Sequence, residues 1–125
     1  MTQPPEMCAG QAPNALPELT EFDFHRRLAQ TPGVSVVLFS SPDCRACRSL
    51  EKRLPALLEE APARLYKVDV QRATALARAY EIFHLPSLLV FVDGHYHGPL
   101  QAAPRGGILR QALRALLAAP AEEEP

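Results

Sequence analysis

The chain of 125 residues contains no tryptophan and only three cysteines. Three cysteines are too few for the framework of disulfides that small secreted domains use in place of a large core. The fold must therefore depend on buried apolar side chains, and a chain of this length can bury enough of them in one domain. We expect a single domain whose stability does not need disulfides.

An excess of charge of either sign is also missing. The 13 lysines and arginines stand against 14 aspartates and glutamates, which gives a net charge of -1. This balance gives no electrostatic reason to expect a nucleic acid or an anionic membrane as a partner. The sequence shows no apolar run as long as a membrane span, and its first residues show neither a basic leader nor an apolar signal segment. We therefore expect a cytoplasmic protein with no nucleic-acid or membrane partner.

Composition predicts three segments. Residues 1–15 are rich in proline and poor in large apolar side chains, so burial cannot offset the entropy lost by ordering them. We predict a flexible tail there, with Cys8 either an idle reduced thiol or a participant in mixed disulfides. Residues 16–118 form the predicted domain, and residues 119–125 a solvated acidic tail.

The chain is organised around a buried strand that leads into two cysteines. The apolar run Val34–Phe39 predicts the strand, and after the turn residues 40–43 a helix begins with Cys44 and Cys47. Two residues between cysteines at a helix start bring both sulfurs within bonding distance, and the unpaired N–H groups there stabilise a thiolate on the first sulfur. Half of a zinc site or two unpaired thiols would show the same spacing. The order strand, turn, cysteines and helix favours a reversible dithiol/disulfide couple.

A second signal is a proline in front of another apolar run. Pro86 comes just before residues 88–92, which end in the turn signal Asp93-Gly94. With this motif and the two cysteines in view, the chain resembles the thioredoxin family from about residue 16 to residue 118. Further features that carry the resemblance are the strand residues 67–70, Tyr80 and a closing amphipathic helix.

The resemblance implies an α/β fold with a central mixed β-sheet flanked by helices on both faces. It also implies that Cys44 is the exposed nucleophile, that Cys47 is the resolving thiol, and that Pro86 follows a cis peptide bond and faces the cysteines. Such a proline turns the preceding backbone outward, so that an extended substrate can pair with it as an added strand. The residues that we expect to contact substrate are Asp43, Arg45, Ala46, His84, Leu85 and Pro86.

The sequence departs from the common family pattern Trp-Cys-Gly-Pro-Cys. Asp43 replaces the tryptophan and residues 45–46, Arg-Ala, replace Gly-Pro, so the reduction potential cannot be transferred from the family. Leu38 occupies the place of the buried aspartate that accepts the proton of the resolving thiol. Cys47 then lacks its usual base, and we expect its attack to be slow unless water, Glu51 or His84 carries that proton.

Two further residues near the cysteines are predicted from this comparison. Lys67 matches the lysine that family members pair with the missing aspartate. A buried unpaired ammonium is costly, so we expect Lys67 to pair with Asp69 or to extend its head to solvent. His84 is either an exposed loop histidine or a group that tunes the Cys44 thiolate near neutral pH.

Periodicity predicts the remaining elements. Thr20 is the expected N-cap of the first helix, Pro55 should kink the helix after the cysteines, and residues 16–19 form at best a short edge strand. His95 and His97 are predicted to lie solvated on one face of the last hairpin. The other predicted strands are residues 65–70, 88–92 and 95–100, and a short helix spans residues 73–80. The predicted buried helix faces are Phe22, Leu28 and the stem of Arg26; Leu50, Leu54, Leu57 and Leu58; and Ile108, Leu109, Leu113, Leu116 and Leu117.

These features favour an oxidoreductase that reduces or exchanges disulfides in protein partners and takes part in cell redox homeostasis. We expect a monomer without a cofactor, supplied with electrons by a thioredoxin reductase-like enzyme or a small thiol. The alternative is a thioredoxin-fold binding module with little or no turnover, which Leu38 and the missing tryptophan favour. A metal or iron-sulfur site at Cys44 and Cys47 would need more ligands than one chain clearly offers.

Overall fold

The structure is a computed structural model, and it describes residues 16–125. The predicted N-terminal tail, with Cys8, therefore lies outside the described residues. The elements in chain order are α1 (Phe24–Ala29), β1 (Val34–Ser40), α2 (Arg45–Leu57), β2 (Ala63–Asp69), α3 (Thr74–Ala79), β3 (Ser87–Val92), β4 (His95–Pro99) and α4 (Gly106–Ala118).

The four strands form one mixed sheet in the order β2-β1-β3-β4. β2 runs parallel to β1, whereas β3 is antiparallel to β1 and β4 is antiparallel to β3. A strand with neighbours on both sides and helices on both faces must be apolar on both faces. β1 meets this need because its buried side chains alternate, with Val36 and Leu38 on one face and Val37 and Phe39 on the other. The predicted mixed sheet is confirmed.

Each face of the sheet has its own core. Aromatic rings dominate the core between the sheet and helices α1 and α3, and leucine and valine dominate the core beneath α2 and α4. Helices therefore flank both faces, as the resemblance implies. Central side chains are Phe24, Phe39, Tyr80 and Phe91 in the aromatic core and Leu38, Leu54, Leu109 and Leu113 in the aliphatic core.

The inward face predicted for the first helix is right for Leu28 but wrong for Phe22 and Arg26. Phe22 is 93% exposed, and Arg26 is exposed too, whereas Phe24 and Leu28 are buried. The reason is a turn before the helix, in which Thr20 Oγ1 accepts hydrogen bonds from the N–H groups of residues 22 and 23. The helix consequently starts at Phe24, and the residues four apart that face the sheet are 24 and 28.

The predicted cap pair of this helix does form, although it precedes the helix. The Thr20 N–H donates to Asp23 Oδ1 over 2.7 Å, while the Thr20 hydroxyl accepts from the Asp23 N–H over 3.2 Å. The hydrogen bond from the Thr20 backbone is the main reason that the pKa of Asp23 lies below its usual value.

The edge strand considered for residues 16–19 is reduced to a single bridge between Glu18 and Lys67 of β2. The Lys67 N–H donates to the Pro17 carbonyl, and the Leu19 N–H donates to the Lys67 carbonyl. Pro17 has no N–H of its own, so it can accept but not donate in such a ladder.

The prediction of two solvated histidines in the last hairpin is wrong for His97. A register shift between Val90 and Phe91 separates it from His95, which is exposed. His97 Nε2 lies 2.8 Å from the Leu116 carbonyl and 3.0 Å from the Ala119 carbonyl. This ring therefore contacts two carbonyls at the end of α4, where the Leu116 carbonyl also accepts a hydrogen bond from the Ala119 N–H.

The last helix and the acidic tail also differ from the predictions. Leu109 and Leu113 are buried as expected, but Ile108 is 47% exposed and does not belong to the inward face. The tail after α4 is exposed but not free, because the Glu122 N–H donates to the His97 carbonyl over 2.8 Å. The chain end thus lies along the edge strand β4.

Candidate functional site

The two cysteines lie at the junction between β1 and α2. β1 ends at Ser40, and Cys44 is the N-cap residue of α2. The N–H of Cys47 donates to Cys44 Sγ over 3.1 Å. A donor in this position, at the positive end of a helix, would also stabilise a thiolate on Cys44 once the pair is reduced.

The two sulfurs are bonded to each other and differ in access. Cys44 and Cys47 form a disulfide with their Cα atoms 5.2 Å apart. Cys44 is half-buried, whereas Cys47 is fully buried. Part of Cys44 is therefore open to a partner molecule, whereas Cys47 is closed to solvent.

The loop before the cysteines is held by a residue that sequence reasoning missed. Gln71 Nε2 donates to Ser41 Oγ and to Asp43 Oδ2, each over 3.0 Å. On the other side of the loop, the Arg48 guanidinium donates to the Pro42 carbonyl. Asp43 is thus fixed beside Cys44 from the connection between β2 and α3, a contact across 28 positions that no local pattern reveals.

A groove of about 970 Å³ opens beside the start of α2. It brings together Ala46, His84 and Pro86, three of the residues predicted to contact substrate. The peptide bond between Leu85 and Pro86 is cis. His84 is exposed, and its carbonyl accepts a hydrogen bond from Ser87 Oγ over 2.7 Å, which ties the loop to the start of β3.

The other three predicted contacts do not line this groove. Leu85 is partly buried, and its side chain packs against the aromatic core. Asp43 is bound to Gln71, and Arg45 is exposed on the first turn of α2. The substrate contacts predicted at Asp43, Arg45 and Leu85 therefore stay predictions.

Phe83 is the groove residue that the sequence reasoning overlooked. Its side chain is 84% exposed and lines the same groove as His84 and Pro86. An exposed aromatic ring of this size beside a groove is a ready contact for an apolar partner side chain. The signal available in the sequence was a large apolar residue between the helix predicted for residues 73–80 and the strand predicted for residues 88–92.

The far end of the groove is acidic. Glu122, Glu123 and Glu124 of the chain end line it together with Tyr80, whose hydroxyl donates to the Glu124 carboxylate. Burial and, secondly, this hydrogen bond raise the pKa of Tyr80 well above its usual value. Burial also raises the pKa of Tyr96 nearby, and the Glu122 charge adds to that rise.

The prediction that Lys67 pairs with Asp69 or reaches solvent is wrong. Lys67 Nζ lies 3.0 Å from Glu51 Oε2, in an ion pair whose side chains are 26% and 16% exposed. Asp69, at the end of β2, instead accepts from the Gln71 N–H and pairs with Arg72. Glu51 comes one turn after Cys47 in α2, so the helix rather than the strand carries the partner of this lysine.

Two negative findings hold for residues 16–125. No three histidine, cysteine, aspartate or glutamate side chains in that range form a group that could hold a metal ion. No helix in the same range is long and apolar enough to cross a membrane.

A central mixed sheet, a disulfide at the N-terminus of the helix after β1, and a cis-proline at the start of β3 define a class of redox proteins. The thioredoxin family model matches residues 15–115, which is most of the chain, and the chain belongs to the thioredoxin family. The resemblance stated from the motifs is confirmed. Family membership together with the bonded cysteines supports thiol-disulfide oxidoreductase function.

Individual relatives agree with this assignment. The chain is 32% identical to thioredoxin of Staphylococcus aureus over 82 residues, which cover 64% of this chain and 77% of that protein. It is 35% identical over 95 residues to protein disulfide-isomerase A3 of Gallus gallus, a match that covers 68% of this chain but spans only 18% of that protein's length. Among solved structures, a mutant thioredoxin from Halobacterium salinarum superposes with a TM-score of 0.65 at 25% identity, covering 93% of this chain and 100% of that one.

Proposed function

We propose that this protein is a thioredoxin-like enzyme that reduces or exchanges disulfides in protein partners. The observation that carries the proposal is the unequal access of two bonded sulfurs, with Cys44 half-buried at a helix N-terminus and Cys47 fully buried behind it. Cys44 attacks one sulfur of the partner's disulfide and releases the other as a thiol. Cys47 then attacks Cys44, which releases the partner and leaves the pair oxidised.

The proposal extends to the residues around the pair. An extended partner segment lies in the groove that Pro86, His84 and Ala46 line, and Phe83 contacts an apolar partner side chain. Arg45 and Asp43 do not line the groove. They therefore contribute charge near Cys44 rather than contacts along the bound segment.

The electron supply and setting are also part of the proposal. A thioredoxin reductase-like enzyme or a small thiol returns the Cys44–Cys47 disulfide to the dithiol, and the protein works as a cytoplasmic monomer in redox homeostasis. A domain spanning residues 16–118 with short tails at either side suits this role, and the presence of only three cysteines in the chain suits a reducing compartment.

Insulin reduction with dithiothreitol tests the proposal, with a redox titration of the pair in parallel. We expect catalysed precipitation of the insulin chains, and a return to the rate of dithiothreitol alone in a Cys44→Ser variant. An intact reversible couple without turnover would instead favour the binding module. One observation favours that second candidate, because Leu38 is fully buried where the family has its proton acceptor.

Selective alkylation tests the role of Cys44. Reduced protein treated with limiting iodoacetamide near neutral pH is expected to be labelled first at Cys44, because this sulfur is accessible and a backbone N–H stabilises its thiolate. Peptide mapping identifies the labelled residue, and Cys8 of the same chain serves as the internal comparison. Preferential labelling of Cys47 or Cys8 would contradict the assignment.

A further inference from the structure

A small cavity borders Cys47 on the side away from the groove. It has a volume of about 220 Å³ and lies between the start of α2 and the ends of β1 and β2. Cys47 borders it even though no part of this residue is open to solvent in the disulfide form. The titratable and charged groups that line the cavity are Glu18, Arg48, Glu51, Lys67, Asp69 and Arg72.

Most of these groups are engaged away from Cys47. Glu18 and Asp69 both pair with Arg72, at 3.2 Å and 3.5 Å. The Arg48 guanidinium is held by a backbone carbonyl of the loop before Cys44. Glu51 and Lys67 pair with each other and line the same cavity as Cys47, and Glu51 follows Cys47 by one helical turn.

The Glu51 carboxylate is positioned as an acceptor. Within the described part of the chain, its Oε2 accepts from Lys67 Nζ over 3.0 Å and from the Leu16 N–H over 3.2 Å. Both contacts fall on one oxygen, so the other oxygen keeps its capacity to accept a proton. The strand beside it offers no such group, because Leu38 is the β1 partner of Lys67 in the sheet register and is fully buried.

We propose that Glu51 is the proton acceptor for the Cys47 thiol, acting across this cavity with Lys67 holding its carboxylate. The step rests on the proposed function. The proton of the Cys47 thiol passes to Glu51 as the Cys47 sulfur bonds to the Cys44 sulfur. The bond between Cys44 and the partner's sulfur breaks, the electron pair leaves on that sulfur, and the sulfur takes a proton from water. Two electrons have then passed from the dithiol to the partner's disulfide.

Stopped-flow reaction of the reduced protein with Ellman's reagent isolates this step, in a Cys8→Ser background so that only the pair reacts. The first release of thionitrobenzoate reports attack by Cys44, and the second reports attack by Cys47 on the Cys44 adduct. We expect Glu51→Gln to slow the second release by roughly 10²-fold at neutral pH, the lower end of what proton transfer by a side chain contributes. The rate of the first release should change by less than about tenfold, since a shift of less than one pKa unit moves the thiolate fraction by less than that factor.

The pH profile separates proton transfer from a structural role. In Glu51→Gln the rate of the second release should rise about tenfold per pH unit until the thiol has titrated, because hydroxide or water must then take the proton. In the protein with Glu51 this rate should depend less on pH, because the carboxylate accepts the proton. Glu59→Gln, in the exposed turn after α2, should leave both phases unchanged. Adding Leu38→Asp to Glu51→Gln places a carboxylate beside Lys67 again and should restore the second release at least about tenfold.

An unchanged or faster second release in folded Glu51→Gln overturns the proposal, because a carboxylate that only repelled the Cys47 thiolate would speed the step when removed. If Glu51→Gln does not fold, Glu51→Asp decides the question. It keeps the charge but shortens the side chain, and we expect a second release slower than that of the protein with Glu51; an equal rate overturns the proposal. These readouts use a small disulfide, so they stand even if insulin reduction fails, and insulin turnover can succeed even if Glu51 is not the acceptor.

Discussion

Incubated with a cell lysate, a Cys47→Ser variant is expected to accumulate covalent adducts with partner proteins on Cys44. The first attack still occurs, but the mixed disulfide has no resolving thiol and persists. Non-reducing gels should show adducts that dithiothreitol releases, and turnover in the insulin assay should fall to the rate of dithiothreitol alone. A Cys8→Ser background ensures that every adduct arises from the bonded pair.

The matched control is Cys44→Ser in the same background. Its remaining thiol, Cys47, is fully buried and should trap little or nothing. Adducts in Cys44→Ser with none in Cys47→Ser would reverse the two roles. Equal trapping by both variants would show that burial in the disulfide form does not govern access after reduction.

Truncation of Phe24 to alanine is expected to lower the free energy of unfolding by about 3–5 kcal/mol, the usual cost of removing a buried phenylalanine ring. Phe24 is fully buried and its ring lies 5.6 Å from that of Phe91, 5.7 Å from that of Tyr80 and 6.4 Å from that of Phe39. Its removal opens a cavity between α1 and the sheet. Urea unfolding followed by circular dichroism measures the change.

Phe22 supplies the control two residues away. It is 93% exposed, so Phe22→Ala should change the free energy of unfolding by no more than about 0.5 kcal/mol. The pair of variants distinguishes the two ways of orienting the first helix. A large loss for Phe22→Ala with a small one for Phe24→Ala would restore the orientation predicted from periodicity.

The departures from the family pattern bear on the choice between enzyme and binding module. Leu38 by itself suggests that the site lacks an acceptor for the proton of the Cys47 thiol, which favours the binding module. The ion pair between Glu51 and Lys67 favours the enzyme instead. It places a carboxylate, carried by α2 rather than β1, at the cavity that Cys47 borders. Loss of a residue at one position is therefore weak evidence for loss of activity when a neighbouring element can carry the same group.

The sequence by itself determined the main strands and the place of the two cysteines at a helix start, because these depend on runs of adjacent residues. The cis-proline and its place beside the cysteines were implied only by the family resemblance. The apolar run of β1, the turn and the cysteine spacing are local, and Leu50, Leu54 and Leu58 share a face at helical spacing and are buried as predicted. Local periodicity failed at α1, where a hydrogen-bonded turn decides the first helical residue and hence which ring faces the core.

Only the tertiary structure decided which side chains meet around the site. Lys67 binds Glu51 across 16 positions, and Gln71 binds Asp43 across 28. Such pairs depend on the order and register of strands and on the rotation of α2 above the sheet, and a shift of one residue in a strand turns a side chain to the opposite face. No pattern in either segment contains that information, so the partner of Lys67 became visible only in the folded chain.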